Sequence, residues 1–217
     1  RIIADIKKQC GICAKIIYED EASGLPVSWA KPSGNILKDL VAEAQQNNMP
    51  VVLHAPSLEG HKIALKANAQ VLAHGFWNWT DDFSHFRDKK LNSEQKLVLK
   101  KIVQSKIGYQ LTFRAITGES DLFKAEFLLD DNLKHCFPKA YLNILKTEEG
   151  EWGRKKILAR GDFLRTKNPG FFWAIRGKNQ TDERMWNEGF SIYRNRLNKV
   201  AEFMAKNNAM LIFGTDT

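Results

Sequence analysis

Two histidines close short apolar runs at matching places in the chain. Pro50-Val51-Val52-Leu53 runs into His54, and Gln70-Val71-Leu72-Ala73 runs into His74. The segment between them has helical composition, so the stretch reads strand, helix, strand, with an imidazole at each strand's carboxyl end. Continuous apolar runs of β-branched character bounded by turn residues suit strands buried on both faces, and hence a parallel sheet covered by helices. In such sheets chemistry is built at the carboxyl ends of the strands. Neutral imidazole is the commonest metal ligand among side chains, and two on the rim of adjacent strands can face one ion. Either histidine alone would better suit a strand end satisfied by ordinary hydrogen bonds; their corresponding positions favour a shared site.

Other residues could add chemistry. Lys15 stands inside the apolar run of GICAKIIYED, where its stem can pack while the ammonium reaches water. Arg114, at the end of IGYQLTFRAI, could hold a carboxylate in bidentate fashion. Asp216 follows the apolar run of LIFGTDT. Asp81, Asp82 and His85 lie close together and suggest an extra metal site, but a flexible polar loop accounts for them better. Cys10-Gly11-Ile12-Cys13 has the C-x-x-C spacing, yet it runs into a strand rather than opening a helix, and it lacks two further ligands nearby for a structural zinc. His61 falls within a helix and is expected at the surface.

The elements that must position these groups follow from periodicity and turn residues. Arg1 to Gln9 reads as the end of a helix, with Ile2, Ile3 and Ile6 on one face, and Cys10 to Tyr18 as a turn and a strand. The loop from Glu19 to Asn35 carries Gly24, Pro26, Pro32 and Gly34, with Trp29 available to contact a ligand or to cover the sheet. Helices are expected at Ile36 to about Asn47, with a stripe of Leu37, Leu40, Val41 and Ala44, and at Leu58 to Ala67. A third runs from Glu94 to about Lys106, capped by Ser93 or Asn92 and turning Leu97, Val98, Leu99, Lys101 and Ile102 inward. Ile107 to Ile116 reads as the next strand. Thr117 to about Lys178 is irregular, with helices at Leu122 to Leu133 and Pro138 to Thr147 and then a segment rich in Trp, Gly and Arg. A long helix from about Asp182 through Asn207 shows Trp186, Phe190, Tyr193, Leu197, Val200 and Met204 at intervals of three and four. A buried strand, Ala209 to Phe213, follows it.

On these residues the chain resembles the amidohydrolase superfamily, in particular its prolidase and imidazolonepropionase-like branch. GICAKII is similar to the fourth-strand motif, VVLHA and VLAHG to the ends of the fifth and sixth strands, and LIFGTDT to the eighth-strand signature. The resemblance implies an α/β fold, a partial (β/α)8 TIM-type barrel spanning its fourth to eighth strands, with a helical, Trp- and Arg-rich insertion at about 117–180 before the last strand. It implies one or two divalent metal ions, expected to be zinc. Lys15, carboxylated, would bridge them, His54 and His74 would bind the second ion, and Asp216 would hold the first and act as general base. The activity implied is hydrolysis of amide, peptide or cyclic amide bonds by a metal-bound hydroxide, on a small-molecule or dipeptide substrate, with Arg114 as a substrate contact. Pro56 stands where many relatives carry a second histidine. The family's first-strand His-x-His occurs nowhere in the 217 residues. Residues 1–217 therefore read as the C-terminal part of a barrel, without its N-terminal strands or any β-sandwich domain, and as inactive alone. The alternatives to this reading are a catalytically inactive barrel homologue and, from the Arg- and Trp-rich insertion, a basic nucleic-acid-binding module.

Composition narrows these alternatives. The formal charge of +8 invites a nucleic-acid reading, but the basic residues are spread along helices and no RNA- or DNA-binding motif is recognisable, so no nucleic-acid partner is expected. No apolar run approaches the roughly 20 residues a bilayer requires, so no membrane partner is expected. Three cysteines are too few for a disulfide framework. Localisation stays open between cytoplasm and periplasm, and so does homo-oligomerisation of the parent protein.

Overall fold

A computed structural model describes residues 2–19, 30–76, 79, 88–113, 130–152, 155 and 182–214, with 182–190 as backbone only. Five short strands, β1 (Ala14–Ile17), β2 (Val51–His54), β3 (Val71–Ala73), β4 (Gly108–Gln110) and β5 (Leu211–Ile212), form one sheet. All neighbours are parallel, and the spatial order is the chain order. Helices α1 (Ile2–Lys8), α2 (Gly34–Gln46), α3 (Leu58–Ala67) and α4 (Ser93–Gln104) alternate with the first four strands. Past β4 come α5 (Leu133–Cys136), α6 (Lys139–Ile144), a 3₁₀ turn at Glu149–Glu151 and the long α7 (Asp182–Lys206). The chain is thus α/β with an all-parallel sheet. No helix among the described residues is long and apolar enough to cross a membrane.

Parallel crossovers are right-handed as a general rule, and with an order that never reverses that rule puts successive helices on one face. Helix α1 packs on α2, α2 on α3, α3 on α4 and α4 on α7. Alternation along the strands separates the two faces. Val51, Leu53, Leu72 and Tyr109 turn to the helices and are fully buried, with Leu37, Val41, Ala44, Ala64, Leu99, Ile102, Val200 and Met204 closing over them. Lys15, Ile17, Val52 and His54 share the opposite face, since Lys15 pairs with Val52 and Ile17 with His54.

Helix starts follow capping chemistry. Ser33 and Ser57 accept from the backbone N–H of Ile36 and Gly60, at 3.3 and 2.9 Å. Asn92, rather than Ser93, caps α4 in a reciprocal box with Gln95. Gln95 is itself buried and donates its side-chain N–H to the Trp79 carbonyl at 3.0 Å. Asn68 ends α3 in the left-handed region at φ 56°.

Several expectations change. His61 is fully buried, because it continues the Leu58 and Ala64 line at the three-residue spacing of a helix's inner face. Leu97 is 53 % exposed; the inner stripe of α4 is Gln95, Val98, Leu99 and Ile102. The strand expected to reach Ile116 ends at Gln110, since Thr112 takes a positive φ that no strand accommodates. Leu211, Ile212 and Phe213 are exposed rather than buried, because among the described residues β5 is an edge strand paired with β4 alone. Lys15 is exposed for the same reason at the other edge, β1.

Candidate functional site

The carboxyl ends of β1 to β4 each deliver one polar side chain to a common rim. Glu19 lies two residues past β1, His54 is the last residue of β2, His74 follows β3 directly, and Thr112 lies two residues past β4. In parallel strands with this register those positions are neighbours. The His54 and His74 rings meet edge to face with centroids 4.4 Å apart. A Glu19 carboxylate oxygen forms a hydrogen bond with His54 Nε2. The other oxygen, Oε1, is buried and has no hydrogen-bond partner among the described residues. His74 Nδ1 lies 3.1 Å from the Thr112 hydroxyl.

Two of these residues hold unusual backbone. His74 has φ 76° and Thr112 φ 48°, a region that costs a side-chain-bearing residue free energy, most of all a β-branched one. The surrounding bonds impose it. Gly75 N–H donates to the Leu111 carbonyl at 3.0 Å, and a Cβ at Gly75 would stand 2.9 Å from that same oxygen and against Leu197. Only glycine allows this close approach.

Behind the rim a buried polar chain ties the same segments together. Phe76 N–H donates to the Tyr109 hydroxyl oxygen at 2.9 Å. Tyr109 donates in turn to His61 Nε2 at 2.8 Å, and His61 Nδ1–H donates to the Ser57 carbonyl at 2.9 Å. Every member is satisfied, which a buried network requires. Burial pushes the His61 pKa down to about 4 against the pull of its backbone bonds, and burial drives the Tyr109 phenol upward. Both stay neutral, as the donor order demands. Trp79 Nε1–H donates to the Phe76 carbonyl at 3.0 Å. Arg196 of α7 lies over the Trp79 ring at 5.0 Å, a cation–π contact in a buried setting. Desolvation lowers the Arg196 pKa, opposed by Tyr193 and Asp88.

Of the expected site residues, His54 and His74 come together. Lys15 lies on the same face of the sheet as His54, one pleat before it. Asp216 and Arg114 lie outside the described residues, as do Trp29, Asp81, Asp82 and His85. Glu19 and Thr112 were missed by sequence reasoning, although each follows a strand's carboxyl end as the histidines do. Cys10, Cys13 and Cys136 are exposed free thiols. A cavity of 520 Å³ at α5 and α6 is lined by residues such as Leu133, Phe137 and Leu142 and includes no member of the histidine cluster.

Two imidazoles and a carboxylate with an orphaned oxygen match in kind the donors that zinc takes. They do not stand as a finished cage: among the described residues no group of three or more His, Cys, Asp or Glu is arranged to hold a metal ion. Glu19 would have to leave His54 Nε2 to share an ion with it. No family model matches the chain, and no curated protein or solved structure matches it.

Proposed function

We propose that this chain carries part of a metal-dependent hydrolase site acting on carbon–nitrogen bonds, of the amide, peptide or cyclic amide kind. The observation that carries the metal reading is the edge-to-face contact of His54 and His74 at the carboxyl ends of adjacent parallel strands. The buried Glu19 carboxylate beside them supports it. The class of bond rests on the resemblance of GICAKII, VVLHA, VLAHG and LIFGTDT to the amidohydrolase motifs. The unreversed strand order supports reading the five strands as successive strands of a (β/α)8 barrel, with residues of about 117–180 as an insertion before the last.

In this reading His54 and His74 hold a divalent ion, expected to be zinc, and Lys15 and Asp216 complete the site for one ion or two. Such an ion lowers the pKa of water towards about 7 and polarises a carbonyl. The residues do the rest. His74 presents one ring nitrogen to the rim while the other is held by Thr112. Glu19, released from His54, offers a carboxylate in a buried setting. Lys15, exposed on the same face of the sheet as His54, would supply the amine to be carboxylated. Asp216, just past β5 in the chain, would accept a proton from the attacking water, a role worth about 10²- to 10⁴-fold.

Metal analysis of the full-length protein tests the reading. Protein made in zinc-replete medium is expected to retain a divalent ion that His54→Ala and His74→Ala each lose, along with hydrolysis of dipeptides or cyclic amides. Wild-type protein without bound metal would overturn the proposal.

A further inference from the structure

We propose that the cleft between α5 and α6 binds an elongated apolar carboxylate of the medium-chain fatty acid kind. None of Lys15, His54 and His74 lines it. The cleft arises from one residue pair. Phe137 stands before Pro138, and a residue in that position is driven out of the helical region. It is extended, at φ -129° and ψ 144°, so α5 stops there and α6 sets off in a new direction. The corner leaves a cavity of 520 Å³ between the two helices, inside the range of about 300 to 1,000 Å³ usual for small-molecule sites.

The lining is divided by chemistry. Leu133, Phe137 and Leu142 supply an apolar floor, and the Phe137 ring stacks on Tyr141 with centroids 5.5 Å apart. Charge is uneven across it. On the α5 side the carboxylates are engaged: Asp131 pairs with Lys134 at 3.7 Å, and Asp130 accepts from the Asn132 backbone and side chain at 2.9 and 3.0 Å. On the α6 side Lys139 and Lys146 line the cavity with no carboxylate partner among the described residues. Lys139, Leu142 and Lys146 recur at helical spacing, so both ammoniums stand on the face that carries the floor. Their stems can pack along an apolar chain while the charged heads meet an anion. The floor asks for a tail that leaves water, and the two lysines ask for a negative head. Asp130 and Asp131 on the facing wall repel a doubly charged head more than a singly charged one, which favours a carboxylate over a phosphate.

Three probes and two variants of the full-length protein test the assignment. Decanoate, kept below its micelle concentration and followed by backbone amide correlation spectra, is expected to saturate, with shifts centred on Leu133, Phe137, Leu142 and Asn143. Butyrate carries the charge without the chain and is expected not to saturate. Decanol carries the chain without the charge and is expected to bind about 3- to 30-fold more weakly than decanoate, the worth of up to two exposed ion pairs. Replacing both free cations, Lys139→Gln with Lys146→Gln, is expected to lower decanoate affinity by the same factor of about 3 to 30. It should leave decanol affinity unchanged, which shows that the cleft keeps its shape. His54→Ala is expected to bind decanoate as the wild type does, whatever it does to hydrolysis. No saturable decanoate binding, decanol binding as tight as decanoate, or an unchanged affinity in the lysine variant would overturn the inference. Loss of binding in His54→Ala would move the ligand to the histidine cluster, and recruitment to anionic vesicles without binding of free decanoate would make this a membrane contact instead; either result overturns it too.

Discussion

Lowering the pH should destabilise this chain through His61. The ring is fully buried with its pKa lowered from 6.5 to about 4, and its two nitrogens are committed to Tyr109 and Ser57. Once unfolded, the same imidazole takes up a proton near its ordinary pKa. The folded-state pKa is depressed, so the stabilisation is fully present above pH 6.5 and is lost as the pH falls towards 4. Between those limits unfolding takes up close to one proton, which makes the slope about 1.4 kcal/mol per pH unit. Across the window the loss amounts to about 3 kcal/mol, a large share of the 5 to 15 kcal/mol that is about usual for a folded domain. The assay is urea unfolding in chelator at several pH values between 7.5 and 4, on wild type and His61→Gln. Glutamine can occupy both hydrogen-bonding directions without titrating. With slopes of about 1 to 3 kcal/mol per molar urea, the wild-type midpoint should fall by about 1 to 3 M more than that of the variant over this range. Parallel pH profiles for the two proteins would refute the reasoning, because another group would then carry the acid sensitivity.

Other perturbations have equally direct outcomes. Gly75→Ala should cost about 1 to 3 kcal/mol in denaturant unfolding, since its Cβ would meet the Leu111 carbonyl and Leu197; an unchanged midpoint would mean that the segment relaxes freely. Asn92→Ala, which deletes the capping box of α4, should cost about 0.5 to 2 kcal/mol, read the same way. Lys15→Ala should abolish most hydrolysis, with partial recovery on adding a short carboxylic acid, and full turnover with wild-type metal content would end its bridging role. Asp216→Asn should keep the fold and lose most turnover; activity within a few-fold of wild type would make the aspartate structural.

Helix and strand identities were legible because period and punctuation agreed. Leu58–Ala67 was read to the residue, and Asp182–Lys206 to within one residue, where serine or asparagine signals stand beside long amphipathic stripes. Facing was less legible. His61 lies on the inner line of α3, yet its residue type argued for the surface; what rescues it is Tyr109, a partner 48 positions away that no local pattern reveals. The two histidines were found because apolar strands end on them. Glu19 and Thr112 escaped because each lies beyond its strand by two residues, in turns whose direction depends on contacts with neighbouring units. The edge exposure of Lys15 and Leu211 is likewise a property of how many strands pair, which strand composition does not encode.

The unreversed strand order governs how a disturbance travels. Each strand pairs only with its predecessor and successor, and each helix packs chiefly on the next, so energetic coupling runs along a line much as it does in a stacked array of repeats. A weakened cap at α4 is felt by β3 and β4 at once and reaches α1 only through α2 and α3. Opening should then proceed like a zipper from either end, with β1 and β5 exchanging their amide hydrogens first and β3 last. The histidine pair sits on β2 and just past β3, inside that line, where both neighbours must peel away before the two rings can part.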